Sequence, residues 1–147
     1  MDISITAYII YSVFYVVIYG LLEAGYFSFS MPKIRKYAAR VQNKEEVMFK
    51  PLWPYGVIAY IIYMFAFWAF VLHDIVTGNE KRWYIILFKS TLLAMAIYAT
   101  FNLTNYVMFE KYSKKLVISD TIWGVTAFNV TAFLLYGLKR YFDKRSA

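Results

Sequence analysis

Residues 94–128 read AMAIYATFNLTNYVMF, then EKYSKK, then LVISDTIWGVTAF. The first piece is an apolar run that carries Tyr98, Asn102, Thr104 and Asn105. The second is a short charged turn, and the third opens another apolar run at Asp120-Thr-Ile-Trp123-Gly124. Amide and carboxyl groups are costly in hydrocarbon unless they face protein partners, so polar side chains set into apolar spans are where function is sought. The stretch predicts an antiparallel helical hairpin inside a membrane.

Working outward, the hairpin supplies two of four uncharged runs, 3–22, 51–72, 90–109 and 121–138. A helix rises about 1.5 Å per residue, so each run crosses close to the ~30 Å hydrocarbon core of a bilayer. The chain of 147 residues is 61% hydrophobic, with a mean hydropathy of +0.49, too apolar for a soluble domain of this length. The fold class expected is therefore all-α: a polytopic membrane protein, one four-transmembrane-helix bundle over 1–147. Its spans lie at about 3–28, 53–73, 84–109 and 118–138, and a basic amphipathic segment joins helices 1 and 2. Asp2 precedes the first run with no Lys or Arg, which argues against a cleaved signal peptide. There is no Cys and a single His, His73, which excludes disulfides, thiolate metal sites and cysteine nucleophiles.

Helix 1 places Tyr8, Tyr11, Tyr15, Tyr19, Glu23 and Tyr26 at spacings of three and four, hence on one face. Such a stripe either lines a polar pathway or packs against neighbouring helices, and packing is the expectation. Gly20 and Ala24 offer a small-residue spacing for close helix approach. Ser30 reads as an N-cap and Pro32 as a first-turn residue of a separate helix. That helix repeats Ile34, Tyr37, Ala38 and Val41 among Lys33, Arg35, Lys36, Arg40 and Lys44, the pattern of a basic amphipathic helix lying in the interface. Pro51, Trp53 and Pro54 then mark the start of helix 2, which reads as packing rather than chemistry. His73 and Asp74 mark its exit, Thr77-Gly78-Asn79 reads as a turn, and Lys89 snorkels to the interface with no special role.

Alternation of the spans puts the connections at 30–52 and 110–119 on one side of the membrane, and both termini with the connection at 73–83 on the other. The first side carries nine Lys and Arg (33, 35, 36, 40, 44, 50, 111, 114, 115) against seven on the second (81, 82, 89, 139, 140, 144, 145). That count leans toward non-cytoplasmic termini. The same topology sets Glu23, Asn102, Asn105 and Asp120 at one depth, with Trp123 and the tyrosine stripe beneath. These five residues form the candidate polar cluster, read first as a hydrogen-bonded clamp and second as a binding niche. His73 and Lys89 lie toward the opposite face, so neither a His-assisted nucleophile nor a His metal site is available there. The sequons at Asn102 and Asn129 fall inside spans and are discounted as glycosylation sites.

The segments Tyr98-Ala-Thr-Phe-Asn102-Leu-Thr104-Asn105 and Asp120-Thr-Ile-Trp123-Gly124 resemble the DUF2177 family of predicted membrane proteins. Leu103, Thr104, Asn105, Asp120, Trp123 and Gly124 match its pattern, whereas Asn102 stands where the family usually has Asp. Phe101 replaces an aromatic hydroxyl, and Glu23 stands for an Asp late in helix 1. Asn does not titrate, so the loss of that acid weakens a proton-relay reading. The resemblance implies an integral membrane protein without an established activity, of a kind found in bacteria and large DNA viruses, and it carries over no catalytic residue.

The function expected is non-enzymatic: a structural or interaction protein, with a viral internal membrane anchoring a protein layer as one setting. The alternative is a small transporter or channel component using the Glu/Asn/Asp cluster. No cofactor and no metal are expected. Expected partners are a bilayer with anionic headgroups, met by Lys33, Arg35, Lys36, Arg40 and Lys44, and beyond it an acidic protein surface or a second copy. Nothing points to nucleic acid.

Overall fold

Lipid offers no hydrogen-bond partners to the backbone, so each apolar run satisfies its amides within itself as a helix. The computed structural model describes residues 5–44 and 53–145 and, among them, consists of helices and short turns without a strand. Among the described residues four helices are long and apolar enough to cross a membrane. Helix α1 is Ile5–Val41 and α4 is Lys114–Arg145. Helix α2 covers 53–77 and contains a π-helical turn at Trp68–Leu72; α3 is Trp83–Met108 with a second π turn at Met95–Ala99. The start of the first predicted span at residue 3, and with it Asp2, Lys50, Pro51 and the side chain of Trp53, lie outside the described residues.

The predicted ends of α1 and α4 fall well short of the observed ones, because the length of an uncharged run reports hydrocarbon thickness rather than helix length. Past the hydrocarbon, α1 continues through Lys33, Arg35, Lys36 and Arg40, and α4 through Lys139 to Arg145. The basic amphipathic segment is thus the last part of α1 and not a separate helix. Ser30 is correspondingly not an N-cap: its Oγ donates back to the Tyr26 carbonyl at 2.8 Å, and Ser28 does the same to Gly25 at 2.6 Å. Pro32 sits inside the helix, where it lacks an N–H for the preceding turn. The helix stops at Asn43, whose φ of 53° is left-handed. Lys44 N–H then reaches the Ala39 carbonyl at 3.0 Å and Asn43 N–H the Arg40 carbonyl at 3.2 Å, a Schellman ending with Asn in the place usually held by Gly.

The turn between α2 and α3 forms as the Thr-Gly-Asn signal predicts. Gly78 takes φ 66°, and Thr77 Oγ1 donates to the His73 carbonyl at 2.8 Å. Beyond it Glu80 accepts three hydrogen bonds from Arg82, and these hold its carboxyl down at about 2.

The tyrosine stripe of α1 turns inward, as packing requires. Tyr11, Tyr15 and Tyr19 are buried, together with Phe67, Val71 and Leu72 from α2, Ile86 and Ala94 from α3, and Ala127, Phe128 and Leu135 from α4. Phe128 is the centre: its ring meets Tyr19, Phe67 and Tyr98 edge-on at 5.3, 5.4 and 6.0 Å, and Phe67 stacks on Tyr15 at 4.4 Å. The opposite faces carry exposed Ile9, Val13, Val17, Ile61 and Phe65, apolar side chains that lipid covers.

Close approach occurs between α3 and α4 rather than at Gly20 and Ala24, which are exposed. Gly124 lies flat under the Tyr98 ring, and a Cβ there would overlap ring atoms. Ser90, Ala94, Ala127 and Thr131 continue the small buried seam. Asn129 Nδ2 bridges it by donating to Thr91 Oγ1 at 2.8 Å, so that sequon residue is an interhelical contact.

The seam makes a prediction. Gly124→Ala is expected to cost about 1–3 kcal/mol, the penalty of overpacking. Gly137→Ala, where an added Cβ meets no atom within 4 Å, is expected to leave stability unchanged or slightly raised. Unfolding by SDS in mixed micelles measures both.

Candidate functional site

Glu23 is the fifth residue of the helix 1 stripe, and it is buried at 6% exposure on a helix long and apolar enough to cross a membrane. A carboxyl group in that position requires donors from the protein. Each of the other three helices sends one. Trp123 Nε1 of α4 donates to Oε1 at 3.0 Å, Tyr60 of α2 donates to Oε2 at 3.1 Å, and Tyr98 of α3 donates to Oε1 at 3.4 Å. Tyr98 also shares a 2.6 Å hydrogen bond with the hydroxyl of Tyr19, which joins the site to the tyrosine stripe. Trp123 is held flat by Tyr26, stacked at 4.6 Å.

A second group forms around Asn102, which is 1% exposed. Its Nδ2 donates to Asp120 Oδ2 at 2.8 Å and to the Tyr98 carbonyl at 2.9 Å, and its Oδ1 accepts from the Tyr112 hydroxyl at 3.1 Å. Burial, and after it the Asp120 charge, push the Tyr112 hydroxyl up, so it keeps its proton and acts as the donor. Both ends of the Asn102 amide are thereby tied into the hairpin between α3 and α4.

Glu23 and Asp120 face one cavity of about 290 Å³. Its walls come from all four helices and include Tyr26, Tyr60, Tyr63, Tyr98 and Tyr112, with Ile34 of the α1 extension at one end. Tyr15, Phe67 and Phe128, packed against one another in the core, are not among its lining residues.

Of the five residues in the predicted cluster, Glu23 and Trp123 bond directly, and Asn102 bonds to Asp120. Trp123 donates to the carboxylate and also packs against the core. Asn105 is half-buried beside Tyr112 and is not among the cavity-lining residues. Two features run against the expectations from sequence. Helix 2 is not packing alone, since Tyr60 and Tyr63 enter the site. Lys89 does have a partner: its Nζ forms an ion pair with Asp74 Oδ2 across α2 and α3. The signal for Tyr60 was one of three tyrosine hydroxyls in an aromatic run, with Tyr55 and Tyr63, and nothing in the run distinguishes it from them. The signal for Lys89 was stronger, an acid and a base each placed near a predicted span end.

His73 sits at the other end of α2, where its Nδ1 is 3.0 Å from the Tyr8 hydroxyl and its ring stacks on Tyr8. Among the described residues no group of three or more His, Asp or Glu is placed to hold a metal ion.

The basic side chains of the α1 extension gather at the cavity end of the bundle. Lys33, Arg35, Lys36, Arg40 and Lys44 are exposed there, as are Lys111, Lys114 and Lys115 from the turn into α4. Lys111 Nζ donates to Asn43 Oδ1, tying the two basic segments to one another. Ile34 meanwhile shares the cavity wall with Leu116 and Tyr112. Both contacts show that α1, after Pro32, leans over the α3–α4 turn.

Residues 4–136 match the model of a family described as predicted membrane protein, DUF2177. No curated protein matches the chain, and no solved structure does.

The Asn102–Asp120 bond is testable as a coupling. Asn102→Ala, Asp120→Ala and the double variant, unfolded in mixed micelles, are expected to give an interaction energy of about 0.5–2 kcal/mol. Additive single effects would contradict the contact.

Proposed function

The chain belongs to the DUF2177 family of predicted membrane proteins, and from that premise we propose that it is a non-enzymatic interaction protein of the membrane. Its basic collar holds the bundle against an anionic headgroup layer. The observation that carries this reading is the Lys111–Asn43 contact, which gathers Lys33, Lys36, Arg40 and Lys44 with Lys114 and Lys115 on one end of the molecule. Each Lys or Arg near an anionic surface contributes about 1 kcal/mol, so a collar of this size is a strong electrostatic anchor. In this reading the collar lies on one side of the membrane and both termini on the other, as alternation of four spans requires. An acidic protein layer, including one beneath a viral internal membrane, presents the same charge to the collar; lipid is preferred because every bilayer with anionic lipid supplies it.

The cavity favours a second reading, a transporter component. Passage to the other face would require the polar lining to continue past Tyr15. The Tyr15–Phe67 stack and the Phe128 ring stand in that path, which supports a site that binds over one that conducts.

Native mass spectrometry of protein released from equal phosphatidylglycerol and phosphatidylcholine tests the collar. Wild type is expected to retain phosphatidylglycerol preferentially, and a Lys111→Gln, Lys114→Gln, Lys115→Gln triple variant to lose most of that preference. Equal retention of the two lipids by wild type would refute the proposal.

A further inference from the structure

The cavity combines features that helix packing does not require. Two carboxylates, Glu23 and Asp120, face one space, and no Lys, Arg or His is among its lining residues. Every side-chain donor seen to reach either carboxylate is neutral: Trp123, Tyr60 and Tyr98 for Glu23, and Asn102 for Asp120. Neutral donors orient a carboxylate without supplying a counter-charge, and charge set within hydrocarbon calls for one. A clamp alone would be served as well by two amides.

The walls indicate what kind of counter-charge fits. Tyrosine rings from α1, α2 and α3 surround the acids, and aromatic faces attract cations whose charge is spread and weakly hydrated. A divalent metal ion asks instead for a dense shell of hard oxygen ligands, and among the described residues no group of three or more acids and His is placed to form one. The volume, about 290 Å³, is at the small end of ligand pockets and suits a headgroup-sized occupant. The lining includes Phe101, 59% exposed, and Ala59, so the space reaches the flank of the bundle between α3 and α2.

We infer that this cavity binds an organic ammonium group, held by charge between Glu23 and Asp120 and by cation–π contact against the tyrosine rings. A choline or ethanolamine lipid headgroup and a free organic cation present the same chemistry to the site. The basic collar uses different residues and binds the opposite charge, so the two sites are independent.

The test is calorimetric titration of tetramethylammonium chloride into the full chain in phosphatidylglycerol nanodiscs, with empty discs and sodium chloride as blanks. Saturable binding is expected, weakened about tenfold or more by Glu23→Gln and by Asp120→Asn, as the loss of one charged contact implies. Ala59→Trp, which fills the cavity and leaves both acids in place, is expected to abolish it. A second arm in phosphatidylcholine discs identifies the source. Affinity lowered about tenfold there means that lipid headgroups already occupy the site, and unchanged affinity means that it takes free cations. The collar triple variant is expected to bind as wild type does, so failure of either proposal is read separately. Absence of saturable binding by wild type in phosphatidylglycerol, or full binding by Ala59→Trp, would overturn the inference.

Discussion

One buried carboxylate organises the cavity half of this bundle. Glu23 lies on α1, and its two oxygens accept hydrogen bonds from α2, α3 and α4, one donor from each. In water such bonds compete with solvent and add little. Inside a bilayer no solvent competes, and a carboxylate left without donors is too costly to keep, so the three other helices are held in the rotations that bring Tyr60, Tyr98 and Trp123 to it. The aromatic core below depends on the same arrangement: Tyr98, bonded to Glu23 and Tyr19, rests on Gly124 and presents its edge to Phe128.

The two ends of the bundle are built on different electrostatics. At the cavity end, acids point inward without a basic partner among the lining residues, while bases point outward into the headgroup region. At the other end, acids and bases meet directly, as in the Asp74–Lys89 pair across α2 and α3 and the Lys139–Asp143 pair within α4. Ion pairs that neutralise each other offer nothing to a ligand, and the Asp74–Lys89 pair also ties α2 to α3. Charges of one sign, kept apart from the other by a few turns of helix, leave both a site and a surface open to outside partners.

The π turns belong to this asymmetry. Trp68–Leu72 in α2 and Met95–Ala99 in α3 fall between the packed end and the cavity end. A π turn inserts an extra residue and rotates the rest of the helix about its axis, and such turns are frequent at functional sites. On α3 the turn contains Tyr98, so the rotation is applied where the helix must aim a hydroxyl at Glu23 and rest its ring on Gly124.

The sequence by itself determined the class and the layout. Four uncharged runs of membrane length leave a chain few options other than four spanning helices, because hydrocarbon admits only backbones that satisfy themselves. The depth shared by Glu23, Asn102 and Asp120 was also legible, since depth is set by position along a span. Position along a span says nothing of which neighbours a residue meets at that depth, and only the tertiary structure decided that. Rotation about the helix axis chose Tyr60 from an aromatic run, made Trp123 a donor, left Asn105 beside Tyr112 and turned Gly20 toward lipid. The continuity of α1 through Pro32 was decided there too: a local signal for a new helix yields when the turns beyond it have a surface to pack on, and Ile34 finds one beside Leu116 and Tyr112.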